Sequence, residues 1–530
     1  MLFYFNLLLQ ILKVNSYDFD YNTVANNFIS SDIIQDNFEN VQEGKFRFWL
    51  TTDCLNILYE DSPFLMYDGC YFQNPDAPYG LMLFPPHVDE GIDEYYGFPI
   101  NDGNLTGTWH LKENDAIVLI GITPPKCNYF SFSNYLYSRH FPKDWKPDSG
   151  KLNQQYFLNC PDGDQADRCE IFASLDDSVN LDRGLNLNQL KFNTSFALIL
   201  ATSIEATLKA QQGLINVGVS QDLISNYSFP ATELNLGVDR NADTFITVMR
   251  TAFYQNDDEA DDYFKNIPFR VFRMELKDDV TLFQRRELVD RKTSYNDASK
   301  ANVTLQQMKS VISDVVKSVV LNKTNSLEDW YVQITETVSG APDNGFECIN
   351  KGRMCLADCR DTLYPFSTAI YRKSKICETL NISCNGLMNG KLSSDETDVI
   401  IVVGVNHAMT EMSSYASMSI YDETYLWGVY TIGNDDLVNT VWNYINVNDY
   451  HDHISEKVLP FIYVYEIRRD CKDIYNCISV PSIPTSDVKA VIPLNDPVVI
   501  TERMYNNPVT HVGPELEDIV LPVVIHLKKR

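Results

Sequence analysis

Two stretches of the chain carry uninterrupted apolar runs that begin with aspartate and end with glycine and one more apolar residue. They are DAIVLIGI at 115–122 and DVIIVVGV at 398–405. Short apolar runs rich in β-branched residues are typical of strands that are buried on both faces. The sequence therefore predicts two similar buried strands, one in each half of the chain.

Each run is followed by the same alternation of tyrosine and serine, Tyr-x-Ser-x-Ser-x-Tyr. The two copies are YFSFSNY at 129–135 and YASMSIY at 415–421. Two further echoes follow in the same order, DDSVN (176–180) with DDLVN (435–439) and IPFRVF (267–272) with LPFIYVY (459–465). Self-similarity in a fixed order predicts an internal duplication. The alternative is that strands resemble one another because all of them share a period of two.

Helical patterns stand between these strands. The stretch 304–321 places apolar residues at spacings of three and four, which predicts an amphipathic helix. The stretch 203–213 begins at Ser203 and ends at Gly213, and the runs at 195–202 and 243–254 around it read as strands. Alternating strands and helices predict an α/β fold, with a mixed α+β fold as the alternative, in which helices pack on mixed sheets.

The same patterns give a domain organisation with two related, disulfide-bonded lobes. The predicted parts are a signal peptide (1–16), an N-terminal α/β lobe (17–280) with an inserted α/β segment near 190–275, a connecting amphipathic helix (281–325), a Cys-rich segment with a C-terminal α/β lobe (326–480), and an extended Pro-rich tail packed on the surface (481–530).

Several features favour an extracellular location. The first 16 residues have the apolar character and length of a signal peptide, although a buried N-terminal element would look similar. The chain has 12 cysteines, and three pairs lie close enough in sequence for local disulfides: Cys160 with Cys169, Cys377 with Cys384, and Cys471 with Cys477. Six Asn-x-Ser/Thr sequons occur, at Asn104, Asn193, Asn226, Asn302, Asn322 and Asn381. A secreted glycoprotein is the expectation.

Charge limits the partners. The formal net charge is -29, which disfavours nucleic acid and anionic membrane surfaces as partners. No later segment has the roughly 18 apolar residues that a transmembrane helix needs. Small molecules or glycans are therefore the expected ligands, and the oligomeric state is left open.

Specific catalytic signatures are missing, so candidate site residues come from position. Ligand sites form beyond the C-terminal ends of parallel strands, and both buried runs end in polar segments. In these segments and just after them, His407, Glu411 and His140 are candidates for acid–base catalysis, since an imidazole beside a carboxylate suits that chemistry. Lys126, Tyr129, Arg139 and Tyr415 are candidates for ligand binding.

No cofactor is expected, with calcium as the exception. Asp239, Asn241 and Asp243 offer oxygen ligands at alternate positions, although the loop lacks the glycine and the distant glutamate of a hand-type site.

Three functions remain open. The first is a secreted binding protein that holds a small molecule or glycan in a cleft between the two lobes. The second is an extracellular hydrolase that uses His407 as general base. The third is a structural protein of the cell surface or matrix.

Overall fold

The apolar runs of the sequence form strands in the computed structural model. It describes residues 19–49, 74, 77–90, 101–141, 168–181, 191–293, 300–339, 345–352, 355, 357–367, 390–424, 427–450, 452–484 and 490–530. The described residues divide into two compact units. Unit 1 draws on Met1–Phe48, Tyr79–Glu287 and Lys351–Met354, and unit 2 on Trp49–Pro78, Leu288–Asn350 and Cys355–Arg530.

Unit 1 contains two sheets and a short hairpin. Its strands are β1 (Phe38–Glu43), β2 (Lys45–Trp49), β3 (Tyr79–Leu83), β4 (Asn101–Asp102), β5 (Leu105–Thr106), β6 (Asp115–Ile122), β7 (Cys127–His140), β8 (Arg168–Ser174), β9 (Val179–Asn180), β10 (Ser195–Ala201), β11 (Ile224–Ser228), β12 (Thr244–Tyr254) and β13 (Phe269–Leu276). The five-stranded sheet has the order β1-β13-β6-β10-β11. The six-stranded sheet has the order β2-β3-β12-β7-β8, and β9 also pairs with β7.

Helices cover one face of the five-stranded sheet of unit 1. The helices of this unit are α1 (Tyr21–Ser30), α2 (Asp32–Asn37), α3 (Ile204–Asn216) and α4 (Asp257–Lys265). Side chains of α1, α2 and α3 form one apolar core with this sheet. Gly213 lies inside α3 and does not end it as predicted. A Cβ there would lie 2.8 Å from Ile34 of α2, so the glycine allows the two helices to pack closely. The other face meets the six-stranded sheet, where the ring of Phe132 lies near those of Phe196 and Phe269.

Unit 2 also contains two sheets. Its strands are β14 (Trp330–Glu336), β15 (Val338–Ser339), β16 (Thr362–Leu363), β17 (Pro365–Phe366), β18 (Val399–Val405), β19 (Tyr415–Asp422), β20 (Trp427–Gly433), β21 (Ile462–Arg468), β22 (Cys477–Ser479), β23 (Val498–Tyr505) and β24 (Val523–Lys529). The five-stranded sheet has the order β14-β24-β18-β21-β22. The six-stranded sheet has the order β15-β17-β23-β19-β20, and β16 also pairs with β23.

The amphipathic helix predicted for 304–321 belongs to unit 2. The helices described after unit 1 are α5 (Leu305–Thr324), α6 (Gly345–Lys351) and α7 (His453–Val458). Helix α5 begins with a capping box between Thr304 and Gln307, and its apolar stripe packs on the five-stranded sheet. The opposite face of that sheet packs on the six-stranded sheet through residues such as Ile400 and Met418. Each unit is therefore a layer of helix on two layers of sheet, a mixed α/β arrangement with few helices.

The two units share one strand order. When the strands on each path are numbered along the chain, both five-stranded sheets read 1-5-2-3-4 and both six-stranded sheets read 1-2-5-3-4. The echo of DDSVN and DDLVN follows the corresponding strands β8 and β20. The echo of IPFRVF and LPFIYVY does not correspond, because it compares β13 with β21, whereas β13 has the sheet position of β24.

The predicted ligand site assumed that the two buried strands run parallel to their neighbours, and they do not. Among the strands described, the parallel pairs are β10 with β11 and β21 with β22. The buried strands β6 and β18 are antiparallel to both of their neighbours. The loop after each buried strand leads into the other sheet of its unit, so it does not join an edge formed by parallel strand ends.

Two segments take positions that the sequence pattern did not indicate. The segment near 190–275 forms β10 to β13. These strands belong to the two sheets of unit 1, so the segment is part of unit 1 and not a separate insert. The tail 481–530 contains β23 and β24. Each is an interior strand of one sheet of unit 2, so this segment is part of the fold and not a tail on the surface. Prolines lie between these strands, where no backbone donor is needed for the sheet.

Two disulfides lie within the described residues, Cys348–Cys355 and Cys471–Cys477. The second was predicted from its spacing. Cys169 is also disulfide-bonded, while its predicted partner Cys160 and the pair Cys377 and Cys384 lie outside the described residues. None of the helices in the described ranges is long and apolar enough to cross a membrane.

Candidate functional site

The Tyr-x-Ser-x-Ser-x-Tyr motif of unit 1 lies beside a buried arginine. Ser131 in β7 is directly opposite Arg250 in β12. The Arg250 guanidinium lies between two tyrosine rings, 5.7 Å from the centre of Tyr79 and 5.4 Å from that of Tyr135. Tyr135 is the last residue of the motif. We call an arginine held in this way, with its two tyrosines, an arginine clamp.

Unit 2 contains the same arrangement. Ser417 in β19 is directly opposite Arg503 in β23. The guanidinium of Arg503 lies 5.7 Å from the ring centre of Tyr364 and 5.3 Å from that of Tyr421. It donates hydrogen bonds to Ser419 Oγ at 2.9 Å and to the Tyr421 hydroxyl. Tyr421 again ends the motif, so the repeated line in the sequence specifies one arginine clamp in each unit.

A group of buried acidic and basic side chains surrounds the start of β6 in unit 1. Asp115 begins this strand and pairs in register with Glu275 of β13. Between them lies His87, with Nε2 3.3 Å from Asp115 Oδ2 and Nδ1 3.2 Å from Glu275 Oε1. Lys112 donates from its backbone to Asp115 Oδ2 at 2.7 Å and from Nζ to Glu275 Oε2 at 3.0 Å. These four residues are the unit 1 cluster.

The electrostatics of this cluster favour the charged form of Glu275. Burial alone would raise the pKa of Glu275, but hydrogen bonds from Lys112 and His87 hold that pKa below its ordinary value. Lys112 also bonds to Asp89 Oδ2 at 2.8 Å. The Asp89 side chain is 60% exposed and that of Lys112 18%, so these residues link the buried cluster to solvent.

A second pair lies against the cluster. Glu90 Oε1 is 2.6 Å from His110 Nδ1, and Glu90 Oε2 accepts a hydrogen bond from the backbone of His87 at 2.8 Å. Burial would raise the pKa of Glu90, and its contact with His110 outweighs this and lowers it. Glu90 thereby fixes the backbone of His87, which positions the imidazole between its two carboxylates.

Unit 2 has a different set of groups at the corresponding position. Asp398 precedes β18 as Asp115 begins β6, and its Oδ1 lies 2.7 Å from His526 Nε2. Its Oδ2 accepts from Ser393 Oγ at 2.5 Å and lies 3.3 Å from Lys528 Nζ. Burial raises the pKa of Asp398, but the bond to His526 and the other donors lower it overall. Ser393, Asp398, His526 and Lys528 are the unit 2 cluster.

His407 and Glu411, the predicted catalytic pair, have separate partners. The ring of His407 is fully buried, and its Nε2 lies 3.1 Å from the carbonyl oxygen of Val520. Burial lowers the pKa of His407 to about 4, so the ring is neutral at pH 7. Glu411 is half-exposed and forms an ion pair with Lys300. A general base must reach a substrate proton, and this position of His407 gives no support to that role.

The candidates of unit 1 are also held by protein groups. Arg139 binds Asp243 through two hydrogen bonds, of 2.9 and 2.6 Å. His140 lies half-buried at the end of β7, in register with Arg168 of β8. Lys126 is exposed, in the loop before β7. Their roles in binding or catalysis stay predictions.

Tyr129 and Tyr415 are the first residues of the two motifs. Tyr129 is buried and donates to Ser131 Oγ at 2.7 Å. Tyr415 is buried and stacks on Tyr505 with ring centres 5.2 Å apart. Both tyrosines therefore lie on the strand face that carries the arginine clamps, where they contribute to packing.

The predicted calcium loop has protein partners for its carboxylates. Asp243 is fully buried and accepts from Arg139 and from the backbone of Asn235 at 2.8 Å. Asp239 Oδ1 accepts from the backbone of Asn241 at 2.7 Å. An arginine thus neutralises Asp243, and calcium binding by this loop stays a prediction.

Sequence reasoning missed His87 and Glu275. Their neighbour Asp115 was visible as the acidic residue that opens a buried strand, and this was the only signal near them. His87 and Glu275 come from segments 188 residues apart. The pairing of β6 with β13 brings Glu275 beside Asp115, and the segment that follows β3 places His87 between them.

Comparisons with known proteins give no family. No protein-family model matches the chain, and no curated protein matches it. Among solved structures, the VPA0106 protein from Vibrio parahaemolyticus is 11% identical, with a TM-score of 0.32, over 90% of this chain and 96% of that one. An uncharacterised protein from Burkholderia cenocepacia is 8% identical, with a TM-score of 0.33, over 95% of this chain and 99% of that one.

Proposed function

We propose that the chain is a secreted, disulfide-bonded glycoprotein that binds a small molecule or glycan, built from two units that arose by internal duplication. The duplication is supported by the shared strand order and by an arginine clamp at matching register in each unit. Disulfides are compatible with an oxidising compartment. The acidic chain also favours an extracellular, soluble role.

The binding site we propose is the solvent-facing side of the unit 1 cluster. A duplicated protein needs the same packing in both copies, so shared features serve the fold, while a feature of one copy is free to serve a ligand. The observation that carries the proposal is the chain of contacts from buried His87, Asp115 and Glu275 through Lys112 to exposed Asp89. Carboxylates and an ammonium group can bind sugar hydroxyls or a cationic small molecule through hydrogen bonds.

A binding role fits the geometry better than a hydrolase does. The hydrolase hypothesis depends on His407, whose buried ring contacts the backbone of Val520. No described contact directs this ring towards solvent, since it is fully buried.

The test begins with expression of the full chain in eukaryotic cells. We expect the protein in the medium, with a mobility shift on treatment with an N-glycosidase. The purified protein is then screened on a glycan array and against small polar compounds by thermal shift. Binding should weaken at least about ten-fold in Lys112→Met, because Lys112 connects cluster and solvent.

The matched control is Lys472→Met, which removes an exposed lysine paired with Glu396 in unit 2. Retention of unglycosylated protein inside the cell would overturn the secreted assignment. Ligands whose affinity is equal in both variants would overturn the proposed site.

A further inference from the structure

We propose that unit 1 binds one divalent transition-metal ion, of the zinc or manganese class, through His87, Asp115 and Glu275. One ligand atom from each of these residues lies within 4.8 Å of the others, and all three residues are buried. The inference does not depend on the ligand proposed above, since it concerns the buried side of the cluster.

The first observation is the position of the His87 ring. A neutral imidazole has one N–H and one lone pair, yet both ring nitrogens of His87 face carboxylate oxygens, at 3.2 and 3.3 Å, and Nε2 also lies 3.3 Å from the carbonyl oxygen of His110. Charge-assisted hydrogen bonds are shorter, about 2.7–2.9 Å. His526 of unit 2 shows that shorter geometry, with a 2.7 Å contact to Asp398. The wider spacing around His87 leaves room for a cation.

The second observation is an oxygen of Asp115 without a partner. Asp115 is fully buried, and its Oδ1 accepts no hydrogen bond. An unsatisfied buried carboxylate oxygen is costly, because it has lost its hydration without replacement. A metal ion would supply the missing partner.

The surrounding contacts leave one ligand oxygen on each carboxylate. Lys112 donates to Asp115 Oδ2 and to Glu275 Oε2, which orients both groups. Asp115 Oδ1 has no hydrogen-bond partner and Glu275 Oε1 contacts the His87 ring at 3.2 Å, so these are the two oxygens that would face the ion. Supporting hydrogen bonds such as those from Lys112 are usual around metal ligands. An ion about 2.0–2.2 Å from each ligand requires only small side-chain adjustments from the present spacing.

The ligand types select the ion. Calcium and magnesium prefer sets made of oxygen alone, whereas imidazole suits zinc and similar ions. One imidazole with two carboxylates therefore favours zinc or manganese. The route from solvent passes Lys112 and Asp89, whose side chains are 18% and 60% exposed.

The test uses the full-length protein after treatment with a chelator. Titration with zinc chloride and with manganese chloride, followed by calorimetry and elemental analysis, should give one tightly bound ion per chain. His87→Gln and Glu275→Gln should each weaken binding at least about ten-fold. The control Asp398→Asn, at the corresponding position of unit 2, should keep the wild-type affinity.

Cobalt provides a readout that is separate from folding. The cobalt-loaded protein should show visible absorption bands that His87→Gln changes or removes, while circular dichroism stays that of wild type. If His87→Gln fails to fold, Glu275→Gln decides the question alone. No saturable ion, unchanged affinity in a folded cluster variant, or an equal loss in Asp398→Asn would each overturn the metal site.

Discussion

The two units place an aspartate at the same point of the same sheet and surround it with different charges. Asp115 pairs in register with Glu275, whereas Asp398 lies beside Lys528. Unit 1 therefore places a second carboxylate beside its aspartate, with Lys112 bound to Glu275, whereas unit 2 places a lysine at that position. The arginine clamps, in contrast, are the same in both units. The two six-stranded sheets therefore share one arrangement around a buried arginine, while the two five-stranded sheets differ in the groups around their aspartates.

The Asp-Asp echo shows a similar difference between the units. In unit 1, Asp176 is buried and forms an ion pair with Arg286, and burial raises its pKa despite that partner. In unit 2, Asp435 and Asp436 are exposed. The same sequence motif thus has a buried aspartate in unit 1 and exposed aspartates in unit 2. Similarity of sequence between the units does not by itself predict similar chemistry.

The largest expected effect concerns the clamps. Replacing either Arg250 or Arg503 by methionine should lower the free energy of unfolding by about 3 kcal/mol, because each change removes a buried guanidinium that contacts two tyrosine rings. Arg503→Met also leaves Ser419 Oγ and the Tyr421 hydroxyl without their donor. Denaturant unfolding with the disulfides intact measures this. Similar losses in the two variants would support equivalent clamps.

The control is Arg530→Met, which removes an exposed arginine 5.2 Å from the ring centre of Tyr331. Its cost should stay below about 1 kcal/mol, since exposed cation–π contacts are weak. If Arg250→Met is as mild as this control, the two clamps are not equivalent.

The next largest effect is a pH dependence of stability that we expect from the loop after β18 and not from the loop after β6. His407 lies three residues after Gly404, and the matching residue after Gly121 is Pro124, which does not titrate. Burial lowers the pKa of His407 to about 4, so the unfolded chain binds a proton that the folded chain excludes. This contribution is complete above about pH 6.5 and is lost as the pH falls towards 4, a change of about 3 kcal/mol.

Unfolding free energies measured across this pH range test the point. His407→Gln should flatten the slope between about pH 6.5 and pH 4. His453→Gln, which changes an exposed histidine at the start of α7, should leave the slope as in wild type. An unchanged slope in His407→Gln would show that the ring is accessible to protons in the folded protein.

A smaller effect compares the two aspartates directly. The pKa of Asp398 is lowered in the folded protein, so its stabilising contribution is present above its ordinary pKa and is lost as the pH falls. Asp398→Asn should cost about 2 kcal/mol at neutral pH and much less below about pH 4. Asp115→Asn in metal-free protein should cost about 1 kcal/mol, because Asp115 Oδ1 has no partner to lose. Equal costs in denaturant unfolding would contradict the difference between the clusters.

Much of the fold could be predicted from the sequence because the relevant signals are local. The apolar runs became β6 and β18, and the stripe at 304–321 became α5 with its capping box. The tail could not be placed in the same way. Its prolines indicated an irregular path, but β23 and β24 lie inside sheets, and only pairing with distant strands shows this.

The candidate site was largely beyond sequence reasoning for the same reason. His407 attracted attention by its type and position, yet a local pattern does not reveal that the loop is closed over by the segment around Val520. His87 had no distinguishing neighbours in sequence. Its significance comes from β13, which delivers Glu275 beside it.

The smallest expected effect concerns glycans. Asn104 and Asn193 of unit 1 and Asn302 of unit 2 are exposed sequons, so in secreted protein each should carry a glycan. Asn322 of unit 2 is exposed too, but its amide donates to the carbonyl oxygen of Tyr444 at 3.0 Å, so we leave it out of this comparison. Asn226 lies in β11, in register with Ile199, and its amide should stay unmodified. Glycopeptide mass spectrometry of the secreted protein measures all four positions.

Replacement of an exposed sequon tests whether its glycan matters for the fold. Asn104→Gln, Asn193→Gln and Asn302→Gln should each change the free energy of unfolding by less than about 0.5 kcal/mol, because these side chains lie at the surface. Among these three sites, we therefore expect two glycans on unit 1 and one on unit 2. Full occupancy of Asn226 would contradict the pairing of β10 with β11, since a glycan within that strand would disrupt the packing of the edge of the five-stranded sheet.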